Sequence, residues 1–243
     1  MSNIEWTEKT WNPVTGCTKI SPGCKYCYAE TMSKRLQLMG ARGYKNGFKL
    51  TLLPERLEQP LKRKKPTIYF VNSMSDLFQE AVPFDFIDKV MGVIDETPWH
   101  TYQILTKRSD IMAKYFSARL VPDNAWLGVS VEDKQYGKPR IKALQKIKAA
   151  TRFLSIEPLL EDLGRLNLKE VHWVIVGGES GSKARPMEEA WVMNVKSQCE
   201  AQNVDFFFKQ WGAWGVDGVK RSKKANGRKL SGRTWDSIPL VAI

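Results

Sequence analysis

Short apolar runs rich in β-branched and aromatic residues alternate along the chain with longer stretches of helical periodicity. Six runs have the length and composition of buried strands, at 67–71, 101–106, 126–131, 152–156, 173–176 and 204–208. Amphipathic helices are predicted between them, at 84–94, 140–149 and 188–201. Strands that are apolar at nearly every position are typical of a parallel sheet covered by helices.

This alternation predicts an α/β fold. About six or seven strand–helix units fit in 243 residues, so we expect a partial (β/α) barrel of about six to seven parallel strands over residues 1–218. A flat, doubly wound parallel sheet is the alternative. Residues 219–243 are rich in Lys and Arg and poor in apolar side chains. We interpret them as a basic C-terminal segment that packs on the barrel or extends from it.

Polar side chains follow each predicted strand, where parallel α/β folds place their sites. They are Asn72, Ser73, Asp76, Lys107, Arg108, Glu132, Asp133, Glu157, Glu179, Lys209, Gln210 and Trp211, with Ser130 and Ser155 just ahead of two strand ends, and the pair Gly177-Gly178 permits close backbone approach to a ligand. A single polar residue in such a place often caps a helix. Six successive polar strand ends favour a polar basin instead.

The charge balance narrows the possible partners. There are 38 Lys and Arg against 26 Asp and Glu, a formal net charge of +12. This excess favours a polyanion, most often nucleic acid, over a merely soluble basic surface. No apolar run approaches the roughly 18 residues that span a membrane, and the first residues lack a signal-peptide pattern. We therefore expect a cytoplasmic monomer that binds DNA.

Three of the four cysteines stand close together, as Cys17, Cys24 and Cys27 in the spacing C-x6-C-x2-C. Glycine and proline between them predict a loop that can curl around a bound group, and thiolates are soft metal ligands. Structural zinc would need a fourth ligand, which would have to be the distant Cys199. A redox pair would leave Cys17 idle. An iron–sulfur cluster with three protein ligands, which leaves one iron open, is favoured.

The cysteine loop resembles that of the radical SAM superfamily, in which three cysteines follow the first strand of a partial (β/α) barrel. An aromatic residue precedes the last cysteine of that motif, and Tyr26 stands there. The superfamily spacing is C-x3-C-x2-C, so this chain has three more residues in the first interval. The superfamily's Gly-Gly-Glu motif matches Gly177-Gly178-Glu179 in letters but belongs after the second strand, where 72–76 would take its role.

Further motifs along almost the whole chain resemble a phage- and prophage-associated family with three cysteines and no known function. They are Ile4-Glu5-Trp6-Thr7, Trp11-Asn12-Pro13, Ser130-Val131-Glu132, Ser155-Ile156-Glu157-Pro158, 176–181, Arg185-Pro186-Met187 and 208–212. That family is distantly similar to spore photoproduct lyases, which are radical SAM enzymes that repair thymine dimers. The resemblance implies a [4Fe–4S] cluster on the three cysteines, S-adenosylmethionine, and an electron donor such as flavodoxin or ferredoxin.

The resemblance also implies roles for individual residues. Cofactor contacts are expected from Tyr26, Asn72, Ser73, Asp76, Lys107, Ser130, Glu132, Ser155, Glu157, Gly177, Gly178 and Glu179. From their charge and aromatic character, nucleic-acid contacts are expected from Arg185, Lys209, Trp211, Trp214, Lys220, Arg221, Lys223, Lys224 and Arg228. Catalytic roles are expected for Tyr26 and for Cys199 as a hydrogen-atom donor, although the helical setting of Cys199 favours a buried structural thiol.

Three functions remain in competition. The first is a radical SAM enzyme that acts on DNA, with repair of a thymine photoproduct favoured over base modification. The second is a radical SAM enzyme that acts on RNA or on a small molecule. The third is a non-enzymatic, metal-bearing nucleic-acid-binding protein. The basic charge disfavours a small substrate, and the ring of polar strand ends disfavours a pure binding module.

Overall fold

A computed structural model describes residues 4–239 of the chain and contains two sheets. The strands of the main sheet are β1 (Lys9–Trp11), β4 (Ile68–Val71), β5 (Thr101–Thr106), β6 (Ala125–Ser130), β7 (Thr151–Ile156), β8 (Trp173–Gly177) and β9 (Asp205–Gln210). The second sheet is an antiparallel pair of β2 (Val14–Thr15) and β3 (Thr51–Leu52). All six strands predicted from the apolar runs are present.

The main sheet is parallel throughout, and its strands follow one another in the order β1-β4-β5-β6-β7-β8-β9. A doubly wound sheet would reverse this order at a switch point, and no reversal occurs in the described residues. The sheet is therefore singly wound. Because β9 is not paired with β1 there, the sheet is an open half barrel. The predicted partial (β/α) barrel is confirmed.

Six α-helices accompany the strands in the described part of the chain. They are α1 (Tyr28–Leu38), α2 (Phe84–Asp95), α3 (Ser109–Phe116), α4 (Lys134–Leu144), α5 (Glu189–Ala201) and the short α6 (Lys223–Asn226). The helices predicted at 84–94 and 188–201 are correct within one residue at each end. The helix predicted at 140–149 was misplaced at both ends. It begins at Lys134, because the Asp133 carboxylate caps it by accepting from the Tyr136 backbone N–H at 2.7 Å, and it ends at Leu144.

The two faces of the sheet have different packing. Alternate strand residues such as Leu154 and Ile156 join the large core beneath the helices. The opposite, inner face carries an aromatic floor made of Trp6, Phe70, Trp126, Phe153, Trp173 and Phe207. The ring centroid of Trp6 lies 4.7 Å from that of Phe70 and 6.1 Å from that of Trp173. Polar residues further along the strands therefore lie above a closed apolar layer.

The basic segment packs against the last strand of the sheet. The Phe208 N–H donates to the Trp235 carbonyl at 2.9 Å, and Phe207 and Asp236 form an antiparallel bridge. Leu230 is fully buried there. The segment thus covers the open edge of β9, and residues 240–243 lie outside the described residues. Among residues 4–239, no helix is long and apolar enough to cross a membrane.

Candidate metal and cofactor site

The three clustered cysteines lie on the loop between β2 and α1. The loop leaves β2 at Gly16, whose φ of 80° lies in the left-handed region, and a Cβ there would collide with the carbonyl of Lys49. A short 3-10 turn holds Cys24, and Cys27 is the residue before α1. Cys17, Cys24 and Cys27 are free and half-buried. We call residues 16–27 the cysteine loop.

Arg108, at the start of α3, joins the cysteine loop to the sheet. Its Nη1 donates to Cys17 Sγ at 3.5 Å and to the Asp76 carboxylate at 3.2 Å. Its Nη2 donates to Thr18 Oγ1 at 2.7 Å, and its Nε donates to Glu80 at 2.8 Å. The guanidinium is buried, with 3% of the side chain exposed. Each of the three guanidinium nitrogens therefore has a hydrogen-bond partner.

Asp76, which was predicted to contact the cofactor, is occupied by the chain itself. Oδ1 accepts from Thr106 Oγ1 at 2.7 Å and from the Phe78 N–H at 3.0 Å. Oδ2 accepts from the Lys107 N–H at 3.0 Å and from Arg108 at 3.2 Å. Asp76 thus joins the segment after β4 to the segment after β5, and it positions Arg108.

Glu132, just after β6, holds the middle of the cysteine loop. Its side chain is fully buried and accepts from Arg140 Nη1 at 2.5 Å and from the Ser21 hydroxyl. A Cβ on Gly23 would lie 2.9 Å from Glu132 Oε1, so the loop passes directly over the carboxylate. Burial alone would raise the pKa of Glu132, but Lys107 and Arg140 outweigh it and hold this pKa below the ordinary glutamate value.

Arg185 and Glu179 form the third contact with the cysteine loop. Arg185 donates through Nε at 2.9 Å and through Nη2 at 2.6 Å to the two oxygens of Glu179. Nη2 also donates to the Pro22 carbonyl at 3.0 Å, and the guanidinium lies 5.4 Å from the Tyr26 ring centroid. Arg185 was predicted to bind nucleic acid. In this structure its fork is committed to Glu179 and the loop.

Glu157 and Asn72 keep buried polar atoms without a partner among the described residues, namely Glu157 Oε1 and Asn72 Nδ2. Glu157 Oε2 pairs with Lys209 Nζ at 2.8 Å, and a Cβ on Gly177 would lie 3.2 Å from Oε1. Asn72 is held in the left-handed region, at φ 57°, with Oδ1 accepting from the Val14 N–H. Such atoms cost free energy unless a polar ligand satisfies them. Both residues therefore fit the predicted cofactor-binding role.

The Gly-Gly-Glu segment has a packing role in this fold. A Cβ on Gly178 would collide with the Trp211 carbonyl, and the Gly178 N–H donates to the Gln210 carbonyl at 3.0 Å. Trp211 is only 2% exposed, and its Nε1 donates to the Lys229 carbonyl at 2.8 Å. The expectation that Trp211 stacks on a base is corrected here, because its rings belong to the core.

Ser130 and Ser155 are buried and are register partners on neighbouring strands. The Trp214 Nε1 donates to the Ala184 carbonyl at 2.7 Å. The Ser73 hydroxyl donates to Asn12, at the edge of the basin, at 3.2 Å.

Most of the predicted basic residues of the C-terminal segment make internal contacts. The partners are the Ser182 carbonyl for Lys220, Asp217 for Arg221, Glu5 for Lys223 and Asp236 for Arg228. Lys224 is exposed and makes no ion pair with a described residue. Lys220 likewise makes no ion pair with a described residue, but Lys224 differs from it in that its side chain makes no hydrogen bond there either.

Cys199 lies away from the cysteine loop. It is fully buried on α5 and belongs to the core beneath the helices, on the outer face of the sheet. Burial raises the pKa of its thiol to about 12. The structure therefore gives Cys199 a packing role, and it removes the fourth ligand that structural zinc would have required.

The donor set of the cysteine loop fits an iron–sulfur cluster by its chemistry, since it offers three free thiols on one short loop. The three sulfurs do not already form a metal-binding arrangement. Within residues 4–239, no group of three or more Cys, His, Asp or Glu side chains is already arranged to hold a metal ion. A bound cluster would have to draw the three sulfurs together, and the loop contains Gly16 and Gly23, whose backbones are the least restricted.

Fold and site together define a singly wound α/β half barrel with a three-cysteine loop over the carboxyl ends of its strands. The chain belongs to the DUF5131 family, described as a protein of unknown function, whose model matches residues 1–239. No curated protein matches its sequence.

Solved structures of spore photoproduct lyase are similar to this chain. One, complexed with dinucleoside spore photoproduct, is 14% identical with a TM-score of 0.47, and the match covers 76% of this chain and 58% of the lyase. Another, a double mutant with bound AdoMet and the same dinucleoside, is 14% identical with a TM-score of 0.49. This match covers 78% of this chain and 60% of the lyase. The chain thus spans about three fifths of the lyase length.

Proposed function

We propose that this chain binds a [4Fe–4S] cluster through Cys17, Cys24 and Cys27 and uses it with S-adenosylmethionine for radical chemistry on DNA. The position of the cysteine loop carries the proposal. Three buried or half-buried arginine–carboxylate pairs hold the loop over the carboxyl ends of a parallel sheet, where such folds place their sites. Three thiolates leave one iron of a cubane without a protein ligand.

The bound cluster would supply the electron that cleaves the sulfonium of S-adenosylmethionine and yields a 5′-deoxyadenosyl radical. The residues of the chain would bind S-adenosylmethionine and orient it. The partnerless Asn72 Nδ2 can donate to a carboxylate, and the partnerless Glu157 Oε1 can accept from an ammonium or a ribose hydroxyl. The aromatic floor closes the basin from below and keeps water from that side.

DNA is the proposed substrate because the net charge is +12. A base inside a duplex has to leave the stack before chemistry can reach it. Repair of a thymine photoproduct is the reaction that the sequence resemblance implies. Flavodoxin or ferredoxin would serve as the electron donor in the cell.

Modification of a DNA or RNA base is a second candidate, and the burial of Cys199 favours it. The resemblance to photoproduct lyases implies a cysteine as hydrogen-atom donor. Cys199 is fully buried on the outer face of the sheet, and the other three cysteines are assigned to the cluster. Modification requires no thiol donor, so it is compatible with this placement.

Anaerobic reconstitution with iron and sulfide tests the proposal. The wild-type protein should gain the visible absorbance and EPR signal of a cluster and should release 5′-deoxyadenosine with S-adenosylmethionine and dithionite. A Cys17→Ala variant should do neither, and Glu157→Gln should keep the cluster but bind S-adenosylmethionine more weakly. One zinc per chain and no 5′-deoxyadenosine would instead support the non-enzymatic binding protein.

The reaction is then decided with two DNA substrates, one that contains spore photoproduct and one that is undamaged. Mass spectrometry of the digested nucleosides separates the outcomes. Recovery of two thymidines from the damaged DNA supports repair. A nucleoside of changed mass from the undamaged DNA supports modification, and this outcome would contradict the repair assignment.

A further inference from the structure

Among the described residues, one charged side chain makes a hydrogen bond to a sulfur of the cysteine loop. Arg108 Nη1 lies 3.5 Å from Cys17 Sγ and donates to it. Arg140 and Arg185, which form the other two pairs, contact carboxylates, carbonyls or an aromatic ring, and neither makes a hydrogen bond to a sulfur in the described part of the chain. Arg108 therefore differs from them in acting at a predicted cluster ligand.

We infer that Arg108 raises the reduction potential of the cluster held by the cysteine loop. The inference rests on the proposed function and adds a tuning residue to it. Reduction adds negative charge to a cluster and its thiolates. A cation that donates a hydrogen bond to one of the sulfurs stabilises the reduced state more than the oxidised state, and the potential rises.

The surroundings of Arg108 suit a fixed electrostatic role. Its side chain is 3% exposed, so solvent screens its charge weakly. Asp76 and Thr18 hold the two ends of the guanidinium, at 3.2 Å and 2.7 Å. A guanidinium does not lose its proton in proteins, so the positive charge at Cys17 is permanent.

Glu80 is a second residue through which the charge of Arg108 can be tested, because the two side chains form an ion pair. It accepts from Arg108 Nε at 2.8 Å, and about half of its side chain is exposed. Its carboxylate offsets part of the positive charge of Arg108, as does the carboxylate of Asp76, which also acts directly on Cys17. Replacement of Glu80 by glutamine leaves Arg108 held by Asp76 and Thr18, so the potential should rise. Replacement of Arg108 should lower it.

EPR-monitored redox titration of the reconstituted protein, with iron counted per chain, measures these shifts without turnover. For Arg108→Gln we expect about a tenfold smaller equilibrium constant for one-electron reduction, a fall of about 59 mV. Arg108→Lys keeps the positive charge, so its reduction potential should fall less than that of Arg108→Gln. The reduction potential of Glu80→Gln should rise. Arg152→Lys is the matched control, because Arg152 is also buried and carboxylate-paired but lies at the amino end of β7.

The outcomes are distinguishable. If the wild-type protein binds a cluster and the clusters of Arg108→Gln and Glu80→Gln have the same reduction potential as the wild type, this inference is overturned and the proposed function stands. A wild-type protein that binds no cluster overturns both. If Arg108→Gln folds without a cluster, the signs of the shifts in Glu80→Gln and Arg108→Lys decide the inference.

Discussion

Gly178 packs against the backbone of Trp211 so closely that a Cβ on Gly178 would collide with the Trp211 carbonyl oxygen. Two further bonds join the same loops, from the Gly178 N–H to the Gln210 carbonyl at 3.0 Å and from the Ala213 N–H to the Glu179 carbonyl at 2.9 Å. The segments that follow β8 and β9 are thus locked together. Glu179 is thereby placed where it can hold Arg185 and, through it, the cysteine loop.

Gly178→Ala should destabilise the fold by about 3 kcal/mol, because the obstructing atom is backbone and cannot rotate away. Chemical denaturation monitored by circular dichroism measures the change. The control is Gly92→Ala in α2, where a Cβ meets no atom within 4 Å. It should stabilise the protein by about 0.5 to 1 kcal/mol. Equal stability of the two variants would contradict the packing role of Gly178.

The four thiols should differ in reactivity in the metal-free, folded protein. Cys24 and Cys27 are half-buried on the cysteine loop and should label first. Burial and Asp76 raise the pKa of Cys17 to about 11 against the opposing effect of Arg108, so its labelling should be slow and should accelerate as the pH rises toward that value. Cys199 should label only after unfolding.

Labelling with a chromogenic disulfide, followed by peptide mass spectrometry, gives the order directly. A Cys199→Ala variant is the control, since it should remove only the fraction that labels after unfolding. Fast labelling of Cys199 in the folded protein would contradict its burial on α5.

Glu132→Gln should destabilise the protein by about 3 kcal/mol near neutral pH, because Arg140 is left buried without its carboxylate. The pKa of Glu132 is lowered in the folded state, so its contribution is complete above the ordinary value of 4.5 and is lost as the pH falls through the lower folded value. The stability difference from wild type should therefore shrink in acid. Chemical unfolding at a series of pH values measures the difference in free energy of unfolding between wild type and Glu132→Gln, with the exposed Glu96→Gln as control. A difference that stays constant with pH would contradict the ion pair between Glu132 and Arg140 as its cause.

Lys224→Gln should weaken DNA binding and reduce its salt dependence. Lys224 is exposed and has no ion pair among the described residues, so its charge is available to a phosphate. The slope of log K against log salt concentration should fall in magnitude by about 0.9. Fluorescence anisotropy at several salt concentrations gives the slope. Lys114→Gln, an exposed lysine on α3, is the matched control, and identical slopes for both variants would place the interface elsewhere.

Local sequence patterns predicted the strands well and the helices unevenly. Buried parallel strands need apolar side chains on both faces, so runs such as 101–106 and 173–176 are recognisable by themselves. The helix α1 was not predicted, because only Ala29 and Ser33 are buried on it and no apolar stripe marks it. The short β1 was missed because two of its three residues are exposed.

The sequence by itself determined that polar side chains end the strands and that three cysteines share one loop. Only the tertiary structure decided which of these groups are occupied: Asp76 and Glu179 are committed to arginines, whereas Glu157 and Asn72 keep partnerless atoms. The physical reason is range. Strand and loop propensities act between near neighbours, but Arg185 meets Pro22 across 163 positions of the chain, and only the tertiary packing of the half barrel brings such groups within hydrogen-bonding distance.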